Sequence, residues 1–149
     1  MFRFVRPFML ITALLVLCSC ASGVPFTQLN PSIAPEAPET GRIFFYRVTT
    51  LGAALQPDIV LNGKTIGKSI AQGFFFLDCP PGEYEVMTST EVKRKASFVL
   101  DEGQTRYIRF KVSPGFFVGH VYGELVDPQE AMPEIQKCKY VEKKKDKGA

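Results

Sequence analysis

The 149-residue chain has no tryptophan, a single histidine and four cysteines, none of them at a spacing that builds a metal centre. With His120 as its one imidazole, no two histidines can share an ion, and there is no Cys-x-x-Cys pair, so neither a zinc motif nor a thioredoxin-type redox motif is present. Nucleophilic catalysis meets the same shortage. A nucleophile needs a base, that base would have to be His120, and its alternate neighbours Tyr122 and Glu124 share its strand face instead of converging on it. The glycines after Asn62 and Ile66 belong to a hairpin with no helix behind it, so they do not form a phosphate loop. Net charge is only +3, which provides no electrostatic footprint for nucleic acid. The apolar run at residues 8–17 is ten residues long, whereas a transmembrane helix needs about twenty. These gaps lead us to expect no enzyme, no cofactor and no metal.

What is present begins with an address. Arg3 and Arg6 precede the apolar run of residues 8–17, and Leu17, Cys18, Ser19 and Cys20 follow at once, so residues 1–19 read as a signal segment. This quartet resembles the bacterial lipobox, in which a small residue precedes a cysteine that is lipidated before cleavage. Ser19 fits that position, which makes Cys20 the expected modified residue; modification at Cys18 would put bulky Leu17 before the cut. The resemblance implies a protein lipid-anchored in the bacterial envelope. Ala21 and Ser22 stand where an aspartate would retain it in the inner membrane, so the resemblance favours the outer membrane. Without the leader the chain carries sixteen basic and fifteen acidic residues.

Residues 20–40 are rich in proline and small polar side chains and show no alternation, so they read as a flexible tether behind the lipidated cysteine. The folded domain is expected over residues 41–141. In residues 42–48, Phe44, Tyr46 and Val48 alternate with Ile43, Phe45 and Arg47, a strand with two adhesive faces. Ile59, Val60 and Leu61 lead to Asn62 and Gly63, the pair that best tolerates a two-residue hairpin turn. The run Phe74, Phe75, Phe76 leads to a bend at Cys79, Pro80, Pro81 and Gly82, and residues 83–88 alternate again. Residues 94–100, 104–112 and 116–126 continue as a meander, with Phe117, Val121 and Leu125 inward. Asp127, Pro128 and Glu130 mark a helix start, with Pro133 interrupting its interior. The fold class is therefore mainly β: a single antiparallel β-sandwich of seven to eight strands with one short C-terminal helix that folds back to bury Met132 and Ile135. Residues 142–149 read as a basic solvated tail.

Two sets of residues stand out as candidate sites. Paired strands at 104–112 and 116–126 would align Tyr107, Arg109, His120, Tyr122 and Glu124 on an outer face suited to a glycan or an envelope protein. Cys79 and Cys138 remain once Cys20 is acylated, and an extracytoplasmic setting permits a bridge between them. It would close a loop of roughly sixty residues and contribute about 4 kcal/mol.

The succession GRIFFYR, PDIVLNGKTIG, GFFFLDCPPGEY, LDEGQTRYIR, GELV and EIQKCKY resembles a bacterial lipoprotein family known only as a domain of unknown function. The LNGKTIG and PPGEY segments also resemble PEGA-type and transthyretin-like β-sandwiches. The resemblance implies fold and location and carries over no functional residue. The expected function is a membrane-anchored, non-catalytic binding or adaptor module of the envelope, with a structural subunit of an envelope complex as the alternative.

Overall fold

Strand β1 (Gly41–Arg47) is buried along its whole length, as its two apolar faces require. It sits at the centre of the computed structural model, which describes residues 20–29, 37–114 and 119–142. The signal segment, Cys18, part of the expected tether, the inward position of Phe117 and the lysine-rich end lie outside the described residues.

From β1 the chain continues through β2 (Asp58–Leu61), β3 (Lys64–Lys68), β4 (Gly73–Cys79), β5 (Gly82–Thr88), β6 (Glu91–Leu100), β7 (Thr105–Ser113), β8 (His120–Val126) and β9 (Lys139–Tyr140). One helical turn, α1 (Phe26–Leu29), precedes them, and α2 (Pro128–Ile135) lies between β8 and β9. Two open sheets result, ordered β8-β7-β1-β4-β9 and β3-β2-β5-β6. The architecture is the expected sandwich, mainly strands with one short C-terminal helix.

Turn chemistry accounts for much of the path. Asn62 and Gly63 take φ of 46° and 80°, the two positive angles of a type I′ turn, and β2 folds onto β3. The Asn62 side chain then fastens this hairpin to β5, donating to the Glu83 carbonyl and accepting from the Glu85 N–H. Pro80 and Pro81 stop β4 and turn the chain into the other sheet. The Tyr84 hydroxyl donates to the Pro80 carbonyl at 2.7 Å across that corner.

The meander expectation holds for the hairpins and fails at the sheet centre. β1 pairs antiparallel with β4 but parallel with β7, and β9 runs parallel to β4. The cause is burial on both sides: a strand apolar on two faces needs a neighbour along each edge and a layer over each face. Inside the sandwich, Ile43 and Phe45 pack with Ile59, Phe75, Val86, Leu100, Ile108 and Phe110. On the opposite side Phe44, Tyr46, Phe74 and Tyr107 pack beneath Phe26, Ala131 and Ile135. The fold therefore has three layers, with α1 and α2 covering the outer face of the first sheet. Ile135 is fully buried and Met132 partly so, as the fold-back expectation required.

Helix α2 starts where expected but not by the expected cap. Asp127 occupies the N-cap position with no side-chain cap bond, and Pro128 follows. Glu130 makes no capping box because its carboxylate is taken by Arg109. Pro133 stands inside this eight-residue element, where its missing N–H removes one i→i−4 hydrogen bond.

Candidate functional site

Residues 20–29 do not behave as the expected free tether. Cys20 bridges alongside Ala71, and the Ala21 N–H donates to the Ala71 carbonyl at 2.9 Å. Further along, the Val24 carbonyl accepts from Tyr140 at 2.7 Å and the Phe26 N–H donates to Cys138 at 3.0 Å. Phe26 sets its ring edge-on to Phe74 at 5.1 Å and tilted to Phe44 at 6.3 Å. Burying one such ring contributes about 1.5–3 kcal/mol, which is why this segment becomes a strap. Gly23 is required there, since a Cβ would lie 1.9 Å from the Tyr140 carbonyl oxygen. Proline content concealed this docking; an isolated Phe within a polar segment was the signal for it.

Cys20 is exposed, whereas Cys79 and Cys138 are buried. An open cleft of about 570 Å³ adjoins it, lined by residues 20–24, Gln56, Ile70 and residues 140–142. Beside the cleft runs the connection 48–57, held by a buried cation. Arg47 is fully inaccessible and donates to the carbonyls of Leu55, Ser69, Leu51 and Gly52 at 2.6–3.2 Å. Its Nε and the Ser69 hydroxyl have no partner, and burial pushes the guanidinium pKa down.

The expected bridge between Cys79 and Cys138 is not formed, and both are thiols. β9 pairs with the first residues of β4, Gly73 and Phe74, so Cys138 enters at that end. Cys79 is the last residue of β4, opposite Gly41. Six strand residues at about 3.3 Å each separate these ends by about 20 Å, far beyond the ~7 Å between Cα atoms that a disulfide spans. They also occupy different layers, Cys79 inside the sandwich and Cys138 beneath the helices. Burial, reinforced by the Glu134 charge, pushes the Cys138 thiol up to about 12.

The five residues expected to share an outer face divide into two groups. Tyr107 is a correction: it is 2% exposed, its ring stacks on Phe44 at 5.3 Å and 7°, and its hydroxyl meets the Met132 sulfur at 3.5 Å. Helix α2 occupies the space a ligand would have used. Arg109 and Glu124 hold that helix in place. Arg109 reaches Glu124, Glu130 and Glu134 at 2.5–2.8 Å, and Lys111 adds a 2.8 Å pair with Glu124. Tyr46 donates to Glu134 at 2.7 Å.

Titration follows these contacts. Burial opposes the Arg109 charge, but bonds to Glu130, Glu124 and Glu134 outweigh it and push the pKa up. Burial likewise opposes ionisation of Glu124, and Lys111 and Arg109 overcome it, holding the carboxyl below its usual range. Tyr46 is pushed up by burial and then by Glu134. These contacts fasten α2 to the first sheet.

His120 and Tyr122 remain accessible at the seam between β6 and β8. His120 Nδ1 lies 2.8 Å from the Thr90 carbonyl, an acceptor that places the ring proton on Nδ1. Tyr122 carries the Arg94 guanidinium over its ring at 4.8 Å. Thr88 donates to the Val121 carbonyl, and Val121 N–H to the Thr90 hydroxyl, so the seam is sewn by short polar contacts. Leu125, expected inward, shares the alternation of Val121 and Gly123 but lies near the end of β8 and is 43% exposed.

Among the described residues no group of His, Cys, Asp and Glu could hold a metal ion, and no helix is long and apolar enough to cross a membrane. A family model described as "Protein of unknown function (DUF2846)" matches residues 37–121, from just before β1 into β8. An uncharacterized protein of Haemophilus influenzae is 30% identical over 129 residues, covering 83% of this chain and 76% of that one. A structure of the N-terminal domain of AlgF from P. aeruginosa is similar over 60% of this chain and 99% of that one, at 14% identity and a TM-score of 0.39. That score is too low to equate the two folds.

Proposed function

We propose, for a chain that belongs to the DUF2846 family of proteins of unknown function, a role as a lipid-anchored bacterial envelope protein acting as a non-catalytic binding or adaptor module. The observation that supports it is Cys20, which follows the small residue Ser19 and is exposed. Acylation there would add a diacylglycerol through sulfur and an acyl group on nitrogen. At about 0.8 kcal/mol per buried methylene, three chains hold a protein on a membrane essentially permanently. Ala21 and Ser22 favour the outer membrane.

The contact surface of this module is narrower than the five-residue face. Tyr107, Arg109 and Glu124 serve the helix, which leaves Tyr122 with its Arg94 partner and half-exposed His120 as the aromatic and polar strip available to an envelope protein or glycan. Fractionation of envelopes tests the anchor. Cys20→Ser should leave the protein unprocessed or release it from membranes, and Cys18→Ser should leave lipidation intact. Acyl-chain labelling that disappears with Cys18→Ser would refute the assignment.

A further inference from the structure

A lipid on Cys20 would not sit at the end of a free spacer, because the chain is strapped to the sandwich from Ala21 to Phe26, both of them buried. The strap docks at the end of the first sheet where β1 finishes at Arg47 and β4 begins at Gly73. Several features of that end suit a lipid surface. Leu51, in the connection held by Arg47, is 64% exposed. Lys68, paired with Asp58 at 2.9 Å, and Lys139, opposite Gly73, are exposed at the same end. Anchor, apolar tip, Lys68 and Lys139 therefore lie at one end, while the turns at Asn62, Pro80 and Glu102 lie at the other, since β1, β4 and β5 run between the two.

We propose that the Cys20 anchor seats the sandwich directly on a phospholipid bilayer, with Leu51, Lys68 and Lys139 at the headgroups and the Asn62, Pro80 and Glu102 turns directed away. The inference rests on the lipid-anchor reading and adds orientation to it: juxtamembrane lysines are drawn to anionic headgroups, and the strap removes the slack that would let the domain tumble.

The test uses the acylated full chain in phosphatidylglycerol-containing vesicles. Cys79 and Cys138 are buried, so Leu51→Cys and Glu102→Cys each supply one accessible thiol for a fluorophore. With quenchers attached to the lipid, the label at position 51 should be quenched severalfold more than the label at 102. Adding Phe26→Ala, which frees the strap, should collapse that contrast while the protein still floats with the vesicles. Flotation with equal quenching at both positions would overturn the seated orientation and leave the anchor standing. A contrast that survives Phe26→Ala would overturn the strap as its cause. A protein that fails to float would reject the anchor and the seating together.

Discussion

Replacing Tyr107 by alanine separates a covered sheet face from an open one. In the folded chain the Tyr107 ring is stacked on Phe44 at 5.3 Å and is 2% exposed, with Met132 of helix α2 against its hydroxyl. Removing a buried aromatic ring costs about 3–5 kcal/mol, through lost transfer energy and the cavity left behind. For a domain of this size each kcal/mol shifts the melting temperature by about 4 °C, so Tyr107→Ala should melt about 12–20 °C lower. Tyr107→Phe keeps the ring and loses only the weak contact to sulfur, and should fall within a few degrees of the parent. Tyr122→Ala is the control: its ring is partly exposed beneath Arg94, and such surface changes cost under about 1 kcal/mol. Thermal unfolding followed by circular dichroism measures all three. A Tyr107→Ala melt within two or three degrees of the parent, about the size of the Tyr122→Ala effect, would refute the placement of Tyr107 under the helix.

Thiol counting tests the separation of Cys79 from Cys138: without reductant the folded, acylated protein should react slowly with a thiol reagent, and unfolding should expose both sulfurs. Finding neither after unfolding would mean that they are bridged. Acid should loosen helix α2, and the sign follows from Glu124. Its folded pKa is depressed, so its contribution is complete above the unfolded value near 4.3 and is lost as pH falls through the lower folded value. Hydrogen exchange of Ala131 and Ile135 should thus be unchanged between pH 7 and 5 once corrected for intrinsic rates, and should accelerate below about pH 4. Glu124→Gln should blunt that acid step, and an unaltered step would assign it to other carboxylates.

The parts of this fold legible in the sequence are those that local chemistry decides. Asn62 and Gly63 specify their turn, Pro80 and Pro81 specify a corner because they lack ladder donors, and the alternation of Ile43 to Arg47 announces a strand with no solvent face. What was not legible depends on which distant segments meet. Alternation correctly put Tyr107, Arg109, Tyr122 and Glu124 on one side of β7 and β8, but period two cannot say whether water or a helix covers that side. Glu130 illustrates the same limit: its position suited a capping box, and a nearby arginine on another element outbid the backbone for its carboxylate. Phe26 was hidden by its neighbours' composition, since one aromatic ring among prolines leaves no periodic trace. The parallel pairing of β1 with β7 joins segments about sixty residues apart, where turn signals carry no information.

Mass spectrometry of the mature N-terminus decides whether Cys20 is the lipid anchor. No lysine or arginine lies between Cys20 and Arg42, so trypsin should release residues 20–42 as a single peptide from membrane-extracted protein. This peptide should begin at Cys20 and carry a diacylglycerol on sulfur and an acyl chain on the amine. A mature terminus at another residue, or an unmodified Cys20 in protein recovered from the envelope, would contradict the anchor assignment.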